Sequence, residues 1–105
     1  MPAGRGASQG QSQVVMQAGG KKRFERKQGP GDAIMQVVPT NSKRLALLIY
    51  NAGNGTVYMG GDDVDAFGYP LPSGAQLVDN DSLDAWYANG DGTAIDLRII
   101  ETVMP

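Results

Sequence analysis

The 105-residue chain contains no cysteine and no histidine. The first absence excludes disulfides and thiolate metal sites. The second removes the commonest general base and the commonest transition-metal ligand. Any catalysis would have to rest on carboxylates, lysine, tyrosine or serine, and the chain carries neither a phosphate-binding glycine pattern nor a nucleophile elbow. Long apolar runs are lacking too. The longest, Leu45 to Tyr50, is far too short to span a membrane. The N-terminus lacks the apolar core of a signal peptide, so no membrane association is expected and nothing indicates secretion. No convincing amphipathic helical pattern is present.

What is there divides by charge. Residues 1–32 hold six cations against two acids, whereas residues 33–105 hold three cations against nine acids. The first segment also holds seven of the fifteen glycines, with several glutamines and serines. Beyond Met1 its large apolar residues are Val14, Val15, Met16 and Phe24. It cannot bury enough apolar surface to offset its ordering entropy. "KKRFERKQ" could form two turns of helix, but so short a helix is marginal in water. Residues 1–32 therefore read as an extended basic arm and residues 33–105 as the folded body. A basic arm beside an acidic body points to a contact made by the arm.

The body reads as strands. "AIMQVV" (33–38) is a short strand stopped by Pro39. "KRLALLIYN" (43–51) is apolar on both faces, as a central strand is. "AGNG" (52–55) is an Asn-Gly turn, and "TVYMGG" (56–61) follows it, so 43–61 reads as a β-hairpin. Pro70 and Pro72 restrict "GYPLP" to a loop or an edge. "QLVD" (76–79) and "DAWYA" (84–88) are short strands, "NGDG" (89–92) is a second turn, and "TAIDLRIIETV" (93–103) alternates like a one-sided strand. Six to eight short strands at this spacing predict an all-β fold, a small antiparallel sandwich or jelly-roll-like barrel. A body of this size without disulfides has a marginal core, which makes oligomerisation or docking on a partner the expected remedy.

The carboxylates fall into two groups. Against the calcium loop D-x-[DN]-x-[DN]-G-x5-E, Asp79 and Asp81 fit the first two ligands. Leu83, Asp84 and Gly90 then break the pattern. Asp62, Asp63 and Asp65 form a second acidic group, yet nothing in their spacing sets two of them at a glycosidase separation. Solvated turns are the simpler reading of both, and a looser calcium cage of Asp79, Asp81 and Asp84 is the alternative for the first. No enzyme, no metal site and no cofactor are expected.

The basic run "KKRFERK" (Lys21, Lys22, Arg23, Phe24, Arg26 and Lys27 around Glu25) could meet phosphates, with Phe24 stacking on a base. Docking on an acidic protein surface is favoured over nucleic acid because the run is short. Phe24 would anchor in a pocket, and Val14, Val15 and Met16 would add a strand to an exposed sheet edge. Trp86, Tyr87, Tyr50, Tyr58 and Tyr69 could build a sugar platform, though aromatics in strands are more often core or interface residues.

One resemblance stands out. An Arg precedes an apolar strand ending in Asn-x-Gly (Arg44 to Gly53). A Val-Tyr-x-Gly strand follows (Val57 to Gly60), then Gly-x-Pro-Leu-x-x-Gly (Gly68 to Gly74). A short aromatic strand (Ala85 to Ala88) and a terminal Thr-Ala-x-Asp-Leu-Arg-Ile strand (93–99) complete the series. Over residues 40–105 this resembles the small β domains of tailed-phage virion proteins, most of all capsid decoration (cement) proteins. The resemblance implies a structural virion protein on the outer capsid surface, without catalysis, whose partners are the major capsid protein and further copies of itself as a trimer or dimer. The alternative within that class is a glycan- or receptor-binding module of a phage fibre or tail.

Overall fold

The computed structural model describes residues 20–105. The described residues form eight strands: β1 (Lys21–Gly29), β2 (Met35–Val38), β3 (Arg44–Asn51), β4 (Val57–Gly60), β5 (Tyr69–Leu71), β6 (Gln76–Asp79), β7 (Trp86–Asn89) and β8 (Ile95–Val103). They form two four-stranded antiparallel sheets. Sheet A has the order β1-β8-β3-β6, and sheet B has the order β2-β7-β4-β5. This pair of strand orders is the eight-stranded jelly roll, so the expected all-β sandwich is present.

The core lies between the sheets. Val37, Val38, Leu47, Ile49, Val57, Met59, Leu71, Leu77, Ala88, Ile95, Leu97 and Ile99 are buried there, with Met35, Ala75 and Trp86 packed against them. The alternation of β8 explains its seat, since Ile95, Leu97 and Ile99 point inward while Asp96 and Arg98 point out. Pro70 sits in β5, an edge strand, where its missing N–H does not break a ladder on both sides.

Two readings of the sequence change. Residues 43–61 do not form a hairpin, because β3 belongs to sheet A and β4 to sheet B. Both lateral sides of β3 are taken by β8 and β6. The fully buried Asn51 then carries the chain across the sandwich. Its Nδ2 donates to the Gly55 carbonyl (2.8 Å) and the Leu71 carbonyl (2.7 Å), and its Oδ1 accepts from the Gly53 N–H (2.9 Å). The second turn, "NGDG", likewise connects strands of different sheets. Among the described strands, the one chain-adjacent pair that is hydrogen-bonded is β4–β5.

The second change concerns "KKRFERKQ". It is neither a helix nor outside the body, because the chain joins the sheet at Lys21 rather than after residue 32. All nine residues of β1 pair with β8, from Lys21↔Val103 to Gly29↔Ile95. As a strand the segment sends Arg23 to one face and Arg26 to the other, and each meets a carboxylate of β8. The loop after β1 is held as firmly. Gly31 has φ +82°, its carbonyl accepts from the Gly92 N–H, and a Cβ there would lie 1.8 Å from the Thr93 carbonyl oxygen. Only glycine fits that approach.

Candidate functional site

The geometry centres on sheet A and on strand β1 at its edge. The cations of "KKRFERK" alternate between two faces. Toward the sandwich opening, Arg23 donates from Nε (3.1 Å) and Nη2 (2.7 Å) to one oxygen of Glu101. It also reaches Glu25 (2.7 Å), which Lys27 bridges at 3.1 Å. On the outer face Arg26 makes a two-pronged contact with Asp96, at 3.0 Å to each oxygen, and Arg98 joins the same carboxylate at 3.3 Å. The run is therefore not one basic stripe, and much of its charge is paired within the protein. Val14, Val15 and Met16 lie outside the described residues.

Glu101 is the feature that sequence reasoning missed. It is 1% exposed. Its second oxygen accepts from Arg44 Nε at 2.8 Å and from Asn41 Nδ2 at 3.4 Å. Arg44, also buried, continues to the carbonyls of Pro39 (2.7 Å), Asp84 (2.9 Å) and Ser82 (3.4 Å). One carboxylate thus ties β1, β3 and β8 together, and through Arg44 it holds the loops before β3 and before β7. Burial opposes ionisation of Glu101, but the hydrogen bonds from Arg44 and Arg23 outweigh it and hold its pKa below the usual glutamate value. The signal was in the alternation, since Glu101 continues the inward parity of Ile95, Leu97 and Ile99.

The acidic stretch 79–91 resolves into turn chemistry. One oxygen of Asp79 accepts the N–H groups of Asp81 and Ser82, both at 3.0 Å, and the other accepts Trp86 Nε1 at 2.8 Å. Burial acts against the Asp79 carboxylate, yet these bonds and the nearby Arg44 bring its pKa below the ordinary value. Asp65 caps its own turn by accepting from the Phe67 N–H. Among the described residues, no group of three or more acidic side chains is arranged to hold a metal ion.

The aromatics separate as well. Trp86 faces the core, while Tyr69 is 59% exposed at the open side between β5 and β6. There the two rings line a shallow groove with Gln76, Val78 and Asp79. Tyr87 faces outward from sheet B and accepts from Gln36 at 3.2 Å. Tyr50 lies on the outer face of sheet A beside Arg98.

Compared with family models, curated proteins and solved structures, the chain gives no match. The jelly roll itself hosts both capsid and lectin domains. Function must therefore be argued from the residues and not from the fold.

Proposed function

We propose that this chain is a structural virion protein that decorates and stabilises a phage capsid. The β body sits on the outer shell, and the residues before β1 reach across adjacent major capsid subunits. The observation that carries this reading is the anchorage of β1. An arm that ties neighbours together must be fixed where it leaves its own body. Here the strand next to the arm pairs along nine residues with β8 and is riveted at Arg23–Glu101. A pull along β1 would load that ladder in shear, so all of its hydrogen bonds would resist together. A protein that binds only the assembled shell stabilises it by mass action.

The test is deletion of residues 1–19, which leaves β1 and both ion clusters in place. The truncated protein is expected to fold, to cosediment weakly with shells stripped of the native protein, and to leave their thermal stability unchanged. Undiminished binding and shell stabilisation would remove the arm from the proposal.

A second reading has its own observation. Tyr69 and Trp86 share a groove with the amide of Gln76, and aromatic surfaces beside amides suit saccharide binding in a fibre or tail module. Saccharide binding lost in Tyr69→Ala would favour it. Trp86 is the poorer probe because it packs against the core.

A further inference from the structure

The outer faces of the two sheets are unlike. Sheet B presents Gln36, Tyr87, Tyr58, Asn89 and Pro70 across its strands, a polar and hydroxyl-bearing surface. Sheet A presents an unbroken apolar row. Phe24 on β1 opposes Ile100 on β8, Ile100 opposes Leu48 on β3, and Leu48 opposes Val78 on β6. Phe24 is 70% and Val78 55% exposed, while Ile100 and Leu48 are half-buried between them. Arg26, Arg98, Tyr50 and Gln76 form the next row on one side, and Lys22, Thr102 and Ala46 the next on the other. An outer sheet face that meets only water alternates to polar residues. A contiguous apolar row with a polar rim marks a contact surface.

We propose that the outer face of sheet A pairs two copies of this chain, sheet on sheet, about a two-fold axis running along the strands between β8 and β3. This operation lays the apolar row on its own reverse. Ile100 then covers the partner's Leu48, and Phe24 covers the partner's Val78. In the next row Arg98 falls over the partner's Tyr50, a cation–aromatic contact, and Arg26 falls over the partner's Gln76. The other in-plane two-fold, across the strands, stacks β1 on β1 and sets Lys22 against Arg26, so like charges reject it.

The apolar row, and not charge, favours a protein partner over a polyanion. Asp96 already engages both Arg26 and Arg98, and aliphatic Ile100, Leu48 and Val78 offer no stacking surface for bases. Four strands ~4.8 Å apart and three rows about 7 Å apart give a face of about 400 Å², so pairing buries about 800 Å² in total. That is the size of a weak, transient interface. The dimer is accordingly weak in free solution and strengthened wherever copies are concentrated on a surface. The inference rests on strand register alone and is independent of the capsid reading.

Sedimentation equilibrium of the full chain, from low micromolar to near-millimolar concentration, tests it. A reversible monomer–dimer equilibrium is expected. Leu48→Arg, at the centre of the row, should weaken it by about tenfold or more, and Tyr58→Arg on sheet B should leave it intact. Circular dichroism melting of each variant separates lost pairing from lost folding. The cysteine-free background allows a direct check of orientation. A short bismaleimide should join Leu48→Cys to Ile100→Cys in a mixture more readily than it joins Phe24→Cys to itself. A wild-type chain that stays monomeric throughout, a dimer indifferent to Leu48→Arg, or preferred Phe24→Cys self-linkage would each overturn the proposal. So would an apolar row that binds an acidic partner protein while the free chain remains monomeric.

Discussion

Strand β8 carries two arginine–carboxylate–arginine clusters of nearly the same composition on opposite faces of one sheet. Inside, Glu101 holds Arg23 and Arg44. Outside, Asp96 holds Arg26 and Arg98. In each, one arginine comes from β1, so both clusters fasten the edge strand. They differ in solvent. The side chains of Arg44 and Glu101 are 1% and 2% exposed, whereas those of Arg26 and Arg98 are about half exposed. Water screens the outer cluster and replaces any partner it loses. It cannot do so for the inner one, where an orphaned charge has no solvent to turn to. The same ions therefore serve as a structural rivet on one face and as the rim of a contact surface on the other.

The largest effect should come from breaking the inner cluster on one side. Glu101→Ala leaves Arg44 buried without its counter-ion, and the expected loss is about 3–5 kcal/mol of unfolding free energy, measurable by urea titration. For a small domain that is a large share of the total. The double variant Arg44→Met, Glu101→Leu should recover part of this loss, because no lone charge remains. Recovery stays incomplete, since the carbonyls of Pro39, Ser82 and Asp84 lose their donor. A Glu101→Ala protein as stable as wild type would show that the buried cluster is not a rivet.

Acid should report on the buried carboxylates. The folded pKa values of Glu101 and Asp79 lie below their unfolded ones. The stability they contribute is therefore fully present above the unfolded carboxylate values of about 4. It drains away as pH falls through the lower folded values, where both groups take up protons. Melting temperature should hold from neutral pH to about 5 and then decline. Glu101→Gln should start lower and decline less steeply, and equal slopes for the two proteins would assign the acid sensitivity elsewhere.

Much of this architecture was legible in the chain. The alternation of "AIDLRIIE" placed β8, the two-sided apolar run placed β3 between neighbours, and Pro70 marked an edge. What was not legible depended on partners distant in sequence. An Asn-Gly turn between two apolar runs is the local signature of a hairpin, but Asn51 bonds to Leu71, and that non-local contact sends the chain to the other sheet. The basic run read as an arm because its own composition cannot bury apolar surface. Its stability as a strand comes from β8, through backbone pairing and two carboxylates that lie far along the sequence. The acidic stretch read as solvated turns. Its most constrained member, Asp79, instead joins a turn to the Trp86 indole. The candidate contact face was the least legible of all, because its four apolar residues come from four strands and share a row only through register.

Arg23 lies between the two extremes. Its side chain is 45% exposed although its carboxylate partner is buried. Arg23→Ala leaves Glu101 still held by Arg44 and Asn41, so the loss should be about 1 kcal/mol. It should be accompanied by faster hydrogen exchange along Lys21–Gly29, because the start of β1 is released while the core stays intact.

The smallest effect on folding belongs to Asp96→Asn, and it is the sharpest test of the comparison. Removing this carboxylate leaves Arg26 and Arg98 free to take water, so the melting temperature should stay within the reproducibility of the measurement. The charge of the outer face nevertheless rises, because two arginines lose their shared counter-ion next to the apolar row. If that row pairs with a second copy, two faces carrying unneutralised arginines now approach each other. Dimerisation should weaken, and more so at low ionic strength, where repulsion is least screened. Added salt should restore it. Unchanged folding combined with salt-sensitive loss of pairing would show one cluster type used for two purposes, separated by burial alone. A clear drop in melting temperature would instead make the outer cluster a second rivet and remove the distinction between the faces.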